Sequence, residues 1–294
     1  MIILSDDQSA TWRQARGVPT SVSLAAVRFV NERTGWAVGH AGVILRTTDG
    51  GDTWERQADG RSLAQASLDA ARRSGDDRAI KAAQQLVDDG PDKPLMGILA
   101  FDAQHVLVVG AYGMAYETTD GGGTWTGIMD RLDNPKGLHL NVVERASDAI
   151  YVAGEQGLLL RSDDGGRSFS SLSTPYEGSW FALAATSDGS VIAAGLRGNA
   201  FASCDKGASW KRLEGAAPAS FVGAAVVGGH RVVLVNQAGQ LVGVAPGGKL
   251  QALPGAPLPP TSALVALAAG DLLAVGMNGA MRLTAPGHRP GAAQ

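Results

Sequence analysis

The chain has 294 residues, 45% of them hydrophobic, and a mean hydropathy of +0.01, which is typical of a globular protein. Its net charge of −3 and pI near 5.9 give no basis for binding nucleic acid or an anionic membrane surface, and no run of about 18 apolar residues is present to span a membrane. The single cysteine, Cys204, excludes an internal disulfide and a cysteine-based metal site, and the histidines lack metal-ligand spacing. We therefore predict no metal and no cofactor. The N-terminus lacks the basic start and apolar stretch of a secretion signal.

An eight-residue motif, Ser/Thr-x-Asp-x-Gly-x-x-Trp/Phe, recurs along the chain. The first copy has Ser9 where glycine is expected. Successive copies lie roughly 40 residues apart except across one longer interval, a period typical of repeat architectures. The copies are residues 5–12, 47–54, 118–125, 162–169 and 203–210.

Each copy is predicted to form a hairpin turn. The aspartate can accept hydrogen bonds from backbone N–H groups just downstream, and the glycine two positions later takes the positive φ that the turn requires. The aromatic residue then begins the next strand and buries its ring. We therefore predict a structural role for these aspartate and aromatic side chains: Asp7, Asp49, Asp120, Asp164, Asp205, Trp12, Trp54, Trp125, Phe169 and Trp210.

Short apolar strands separated by glycine turns accompany each motif. In the second unit we predict strands at residues 24–29, 35–39, 43–47 and 53–57. Four strands of about five residues in a period of about 40 are typical of β-propeller blades. The hairpin between second and third strands occurs six times after an N-terminal half-blade, so we predict one all-β propeller domain over residues 1–294. In the last two units, residues 245–248 and 284–287 replace the motif.

Residues 58–93 fill the long interval and differ in composition. They are rich in alanine and predict two helices, at 62–74 and 77–87, with Ser62 and Asp76 or Asp77 as N-caps. The narrow apolar faces of these helices allow two interpretations: a hairpin packed on the rim for stability, or a lid or docking arm. Arg72 and Arg73 could meet an acidic partner, although nearby aspartates balance their charge.

Blade topology predicts where a functional surface would lie. In a four-stranded blade, the loops after the second and fourth strands share one face, and the motif turns lie on the other. The helical insertion follows a fourth strand, so it should share a face with the hairpins between second and third strands. Those hairpins carry the mixed aromatic, charged and amide side chains found at protein interfaces: His40, Tyr112, Glu155, Arg197 and Asn278.

The motif is the Asp-box, or bacterial neuraminidase repeat. The longer phrase at residues 34–51, Thr-Gly-Trp-Ala-Val-Gly-His-Ala-Gly-Val-Ile-Leu-Arg-Thr-Thr-Asp-Gly-Gly, resembles the photosystem II assembly and stability factor family, especially its non-photosynthetic bacterial branch. The resemblance implies a seven-bladed propeller with no catalytic role that is exported, to the periplasm or another extracytoplasmic compartment. It further implies a protein that holds partners together during assembly of a membrane complex. We expect it to act as a monomer that does not itself span the membrane.

A glycan-acting or glycan-binding propeller is the alternative, because sialidases also contain Asp-boxes. Their chemistry needs an arginine cluster, a tyrosine nucleophile paired with glutamate and an acidic proton donor. Arg46 and Arg161 occupy equivalent third-strand positions, and Glu117 and Glu155 remain once the box aspartates are assigned to turns. No Arg-Ile-Pro-like signature precedes the first box, and Tyr151 is predicted to pack within a strand, so catalysis is not predicted.

Overall fold

A computed structural model describes residues 1–245, 248–267 and 270–284. These residues form antiparallel sheets that follow one another in chain order. The chain divides into two compact units: one comprises Met1–Leu4 and Trp12–Leu172, and the other comprises Ser5–Thr11 and the described residues from Ser173 onward. The single domain expected over residues 1–294 stays a prediction.

The first unit contains a two-stranded sheet followed by three four-stranded sheets, each an antiparallel meander. The two-stranded sheet is the predicted N-terminal half-blade. The strands are β1 (Ile3–Leu4) and β2 (Arg13–Gln14); β3 (Leu24–Phe29), β4 (Gly35–Gly39), β5 (Ile44–Thr47) and β6 (Glu55–Ala58); β7 (Leu95–Ala100), β8 (Val106–Gly110), β9 (Ala115–Thr118) and β10 (Thr126–Gly127); β11 (Leu140–Ala146), β12 (Ala149–Gly154), β13 (Leu159–Ser162) and β14 (Ser170–Ser171).

The second unit contains two four-stranded sheets and, within the described residues, a last sheet of three strands. The replacement turns predicted at residues 245–248 and 284–287 lie partly outside the described residues. The strands are β15 (Trp180–Ala185), β16 (Val191–Gly195), β17 (Ala200–Ser203) and β18 (Lys211–Arg212); β19 (Phe221–Val227), β20 (Arg231–Asn236), β21 (Leu241–Ala245) and β22 (Lys249–Ala252); β23 (Thr261–Ala266), β24 (Leu272–Gly276) and β25 (Gly279–Leu283).

The second strand of each complete sheet is nearly continuous in apolar residues because both of its faces are buried. Gly35–Gly39 and Val106–Gly110 are buried along their whole length. Side chains from adjacent sheets meet between them, so that Val109 and Ile150, for example, belong to one core cluster of the first unit. Burial between successive sheets, rather than within one sheet, therefore holds the repeats together.

The insertion forms helix α1 (Gly60–Ser74) and helix α2 (Asp77–Asp88), close to the predicted spans. The predicted cap of α1 was wrong. Asp59 is the N-cap, and Ser62 is the third helical residue, whose hydroxyl completes a capping box. The predicted cap Asp76 is confirmed for α2. Gly75 ends α1 in the left-handed conformation that glycine adopts readily.

Helix α1 packs into the core of the first unit. Leu63 is buried in the cluster that contains Trp36 and Tyr116. The Ser67 hydroxyl donates to the Leu63 carbonyl at 3.0 Å and lies 3.1 Å from the Tyr116 hydroxyl. Because α1 shares the apolar core of the sheet beneath it, the structure favours the interpretation that the insertion stabilises the fold.

Candidate functional site

The Asp-box corners share one hydrogen-bond network. In each box the aspartate Oδ1 accepts from a backbone N–H four residues later, at 2.8–3.0 Å. Its Oδ2 accepts from the hydroxyl of that same residue, at 2.6–2.7 Å. The box-opening Ser or Thr donates to the aspartate and accepts the N–H of the residue at the glycine position, as Thr47 does for Gly51 at 2.9 Å. These bonds hold each box aspartate within its own turn, and its structural role stays a prediction.

These hydrogen bonds stabilise the ionised form of each carboxyl group. For Asp49 the hydroxyl and N–H of Thr53 are the largest causes, and they lower the pKa to about 2. The corresponding bonds lower the pKa of Asp7, Asp120 and Asp205 to about 2 and lower that of Asp164 as well. A carboxylate already committed to several donors is a poor candidate for acid–base catalysis.

The aromatic position of the box is less uniform than predicted. Trp54, Trp125 and Phe169 are buried, whereas Trp210 is half-buried. Trp12 is 38% exposed, so its predicted burial was wrong. The half-blade that carries Trp12 has only two strands, so it offers less apolar surface to cover the ring.

The opposite end of each third strand carries a different kind of turn. In four of these hairpins the middle residue is not glycine yet has a left-handed φ of 53–56°: Ala41, Tyr112, Gln156 and Arg197. That conformation disfavours side chains with a Cβ. The fold therefore holds four unlike side chains in one strained backbone position, and residues kept in strained positions often mark functional sites.

Tyr112 is the centre of a cluster in the first unit, the Tyr112 cluster, formed with Lys93, His139 and Glu155. The Tyr112 ring is 62% exposed, although the residues on both sides of it are buried. Lys93 Nζ lies 5.7 Å from the Tyr112 ring centroid, and the His139 ring lies 4.8 Å from it, edge to face. Tyr112 thus presents a large aromatic surface to solvent, with Lys93 and His139 packed against its ring.

His139 contacts both Tyr112 and Glu155 through one ring nitrogen. Its Nδ1 accepts the Tyr112 backbone N–H at 2.9 Å. Glu155 Oε2 lies 3.8 Å from the same nitrogen. Lys93 is buried, and its Nζ lies 3.4 Å from Asp89 and from Asp92. The cluster is therefore held in place mainly by the bond between His139 and the Tyr112 backbone and by the contacts of Lys93 with Asp89 and Asp92.

The insertion touches two successive hairpins of the first unit, as the topology predicted. A Cβ placed on Gly42 would lie 2.7 Å from the Gly60 backbone, so the start of α1 packs against the hairpin that carries exposed His40. Lys93, just after α2, lies against Tyr112. Arg72 and Arg73 are exposed in the last turn of α1, where the helix dipole favours positive charge.

Lys93 and His139 were not predicted from the sequence, although His139 lies at a recurring position. The residue just before the first strand of each four-stranded sheet accepts a bond from that sheet's own hairpin, as His139 does through its carbonyl from the Glu155 N–H at 3.1 Å. His139 also accepts from the preceding hairpin through its side chain. In the second unit Ser220 does the same, because its Oγ accepts the Arg197 N–H at 3.1 Å. A polar side chain just before the first strand of a sheet is the signal that could have identified His139 and Ser220.

In the second unit the two predicted contact residues, Arg197 and Asn278, lie in hairpins of different sheets. Arg197 is exposed at the hairpin that precedes β17. Asn278 is exposed before β25 and lines a shallow pocket with Leu258, Pro260 and Met281. A role for either residue in binding stays a prediction.

The side chains considered for glycoside chemistry have structural partners. Glu117 contacts His105 at 2.7 Å and Arg131 at 2.8 Å. Arg46 packs over the Trp36 ring, and Arg161 pairs with Asp163. Tyr116 is buried, which raises its pKa to about 12, and Tyr151 is buried in its strand as predicted. These contacts and this burial account for each of the side chains without invoking catalysis.

Comparison with known proteins identifies the family. The family model of the photosystem II assembly factor Ycf48 matches residues 4–87 and 79–250. The chain belongs to the Ycf48 family.

A curated member of the Ycf48 family, the photosystem II assembly lipoprotein Ycf48 of Synechococcus sp. (strain CC9902), is 24% identical over 206 residues. The match covers 69% of this chain and 53% of that protein, so the chain spans about half the length of this relative. A solved structure of Ycf48 bound to D1 peptide has a TM-score of 0.67 at 18% identity, covering 92% of this chain and 80% of the other. These matches confirm the predicted all-β propeller with a helical insertion.

The Ycf48 fold is shared with enzymes. A streptogramin B lyase structure has a TM-score of 0.65 at 12% identity, covering 92% of this chain and 85% of the other. Fold alone therefore does not decide between a binding protein and an enzyme. Among the described residues, no helix has the length and apolar character needed to cross a membrane.

Proposed function

We propose that this chain is a non-catalytic scaffold that binds a protein partner during assembly of a membrane-associated complex, and that it works as a monomer in an extracytoplasmic compartment. The match of the Ycf48 family model to most of the chain is the observation that carries the proposal. One solved relative is a Ycf48 protein bound to D1 peptide, and the curated relative is a lipoprotein. Both support a protein partner close to a membrane.

The Tyr112 cluster is the proposed contact surface. Exposed tyrosine rings supply large contact areas with little conformational entropy to lose, and they are common among the residues that dominate binding energy. Here the left-handed backbone of Tyr112 sets where its side chain leaves the hairpin, and the His139 ring packs against the tyrosine ring. A partner therefore meets a preorganised aromatic surface with a carboxylate, Glu155, at its margin.

The test is affinity capture from detergent-solubilised membranes of the source organism, with bound proteins identified by mass spectrometry. Tyr112→Ala should recover at least tenfold less of the partner than the wild-type chain, because the central ring is removed. Phe181→Ala is the matched control, since Phe181 is an exposed aromatic residue of the second unit, and it should capture normally.

Equal capture by Tyr112→Ala and wild type would contradict the proposed surface. Light scattering of the purified chain should give the mass of one copy. Fluorogenic glycosides should remain intact, and hydrolysis that disappears in Glu117→Gln or Glu155→Gln would instead establish the glycan-acting alternative.

A further inference from the structure

The backbone of the Tyr112 hairpin is held by hydrogen bonds to segments outside the hairpin. The Ala111 N–H donates to the Pro94 carbonyl at 3.0 Å, and the Tyr112 N–H donates to His139 Nδ1 at 2.9 Å. Tyr112 has a φ of 56°, a left-handed conformation that disfavours residues with a Cβ. The bond from Tyr112 to His139 therefore helps to hold a strained residue in place.

The corresponding hairpin of the second unit has a hydroxyl where the Tyr112 hairpin has an imidazole. Arg197 has a φ of 55°, and its N–H donates to Ser220 Oγ at 3.1 Å. Ser220 lies just before β19, as His139 lies just before β11. A serine hydroxyl accepts a hydrogen bond at any pH near neutrality, whereas an imidazole nitrogen accepts one only while it carries no proton. The bond at Tyr112 is therefore sensitive to protonation, and the bond at Arg197 is not.

Glu155 offers a second partner to the same ring nitrogen. Its Oε2 lies 3.8 Å from His139 Nδ1, and its backbone N–H donates to the His139 carbonyl at 3.1 Å. The backbone bond does not involve the ring, so it holds Glu155 beside the histidine in either protonation state. A proton on Nδ1 turns that nitrogen from an acceptor into a donor, which cannot accept the Tyr112 N–H but can pair with the Glu155 carboxylate. Protonation thus selects between the two partners.

The other charged side chains of this region lie just after helix α2 and in the loop before β11: Asp89, Asp92, Lys93 and Lys136. Lys93 Nζ lies 5.7 Å from the Tyr112 ring centroid and 3.4 Å from each of the two aspartates, which offset its charge. Lys136 is exposed to solvent. Because Lys93 engages the aspartates, Glu155 is the carboxylate placed to accept from a protonated His139 ring.

We propose that His139 is a pH-dependent switch for the Tyr112 surface. While Nδ1 carries no proton, it accepts the Tyr112 N–H and holds the hairpin in the conformation that presents the tyrosine ring. A proton taken up from solvent breaks that hydrogen bond, turns the imidazolium towards the Glu155 carboxylate and releases the strained hairpin. The partner then binds about tenfold more weakly for each pH unit below the midpoint of the His139 titration. This inference rests on the proposed function, because it concerns regulation of the same surface.

The first test follows the hairpin in the chain alone, from pH 8 to pH 5, the range in which histidine side chains ordinarily change charge. Selective labelling with ¹⁵N-tyrosine gives one backbone signal for each of the four tyrosines, and Tyr112→Phe identifies the Tyr112 signal. That signal should move upfield in the proton dimension as the pH falls, because its hydrogen bond is lost. The signals of the buried Tyr116 and Tyr151 should stay in place.

Two variants test the mechanism. His139→Ser should abolish the movement of the Tyr112 signal, since its hydroxyl can accept the Tyr112 N–H as Ser220 accepts that of Arg197. Glu155→Gln should shift the midpoint of the movement to lower pH, because the imidazolium loses its carboxylate partner. A signal that does not move in the wild-type chain, or that moves equally in His139→Ser, would overturn the proposal. An unchanged midpoint in Glu155→Gln would overturn it as well.

The second test measures partner binding. The wild-type chain should capture at least tenfold less partner from detergent-solubilised membranes at pH 5 than at pH 8, whereas His139→Ser should capture similar amounts at both. Comparing the two chains removes any titration of the partner itself, and an equal fall in both would overturn the proposed effect on binding. Normal capture by Tyr112→Ala, together with a Tyr112 signal that moves as expected, would refute the proposed contact surface but not the switch in the hairpin.

Discussion

At one end of β5 the chain reverses through His40–Gly42, and at the other it reverses through the Asp-box at residues 47–54. In the box corner the side chains of Thr47, Asp49 and Thr53 hydrogen-bond to one another and to backbone N–H groups of the same turn. The hairpin at the other end depends on neighbouring parts of the chain. The His40 N–H donates to the Ser23 carbonyl at 2.9 Å, and Gly42 packs closely against Gly60.

This difference separates residues that maintain the fold from residues free to vary. Because the polar side chains of the box already hydrogen-bond within the turn, few of their donors and acceptors are left to contact a partner. The hairpins keep a constant backbone through contacts of their main chain, so the side chain of the middle residue is free to be Ala, Tyr, Gln or Arg. The contrast is consistent with a structural role for the boxes and with the proposed role of the hairpins in recognition.

Acid should weaken the box corners together. Their folded pKa values lie below the ordinary value of 3.8, at about 2 for Asp49 and Asp120. The unfolded chain therefore binds protons first, and the stabilisation is complete above about pH 4 and lost as the pH falls towards 2. Calorimetric melting temperatures from pH 5 to 2 should fall most steeply in that window. Asp120→Asn should show a shallower fall, and parallel curves would contradict this account.

The opening hydroxyl of the box should matter more than its neighbour. Thr118 is buried, accepts the Gly122 N–H at 2.9 Å and donates to Asp120 at 2.8 Å. Thr118→Val keeps the shape but leaves a buried N–H unpaired, so we expect a loss of about 1–3 kcal/mol in the free energy of unfolding. Urea titration measures it. Thr119→Val, at the exposed adjacent position, is the control. Equal losses in the two variants would show that the hydrogen bonds of Thr118 are not the cause.

The N-terminal box should gain from the glycine that it lacks. Ser9 has a φ of 71°, where the other boxes have glycine. Ser9→Gly relieves the left-handed strain, partly offset by the greater freedom of the unfolded chain, so we expect stabilisation of up to about 1 kcal/mol. Ser9→Ala keeps the strain and should not raise the melting temperature. A gain in both variants would trace the effect to loss of the hydroxyl.

Local chemistry made the repeated elements predictable. The turn at Asp49 and the strands β3 and β4 follow from residues adjacent in sequence, and both strands were placed with their observed bounds. The Ser or Thr at the seventh box position, such as Thr53, was visible as a repeat, but its role was missed. This residue donates to the box aspartate twice, once through its backbone N–H and once through its hydroxyl.

Contacts between distant residues were not predictable in the same way. Lys93 and Tyr112 meet because the insertion returns to a particular hairpin, and nothing in the composition of either segment specifies that meeting. The cap at Asp59 was missed because two plausible capping residues lie three positions apart, and Ser62 serves as the second member of the capping box. The exposure of Trp12 depends on how many strands its sheet contains.

Because the side-chain hydrogen bonds of every Asp-box close within eight residues, a blade carries this side-chain network wherever it is copied. Duplication or loss of a repeat during evolution then preserves the network, while neighbouring blades must match their apolar faces and the backbone bonds between them, such as that from the Trp54 N–H to the Gly17 carbonyl. Lineages of such proteins can change their number of repeats while the hairpins at the other end diverge to suit new partners.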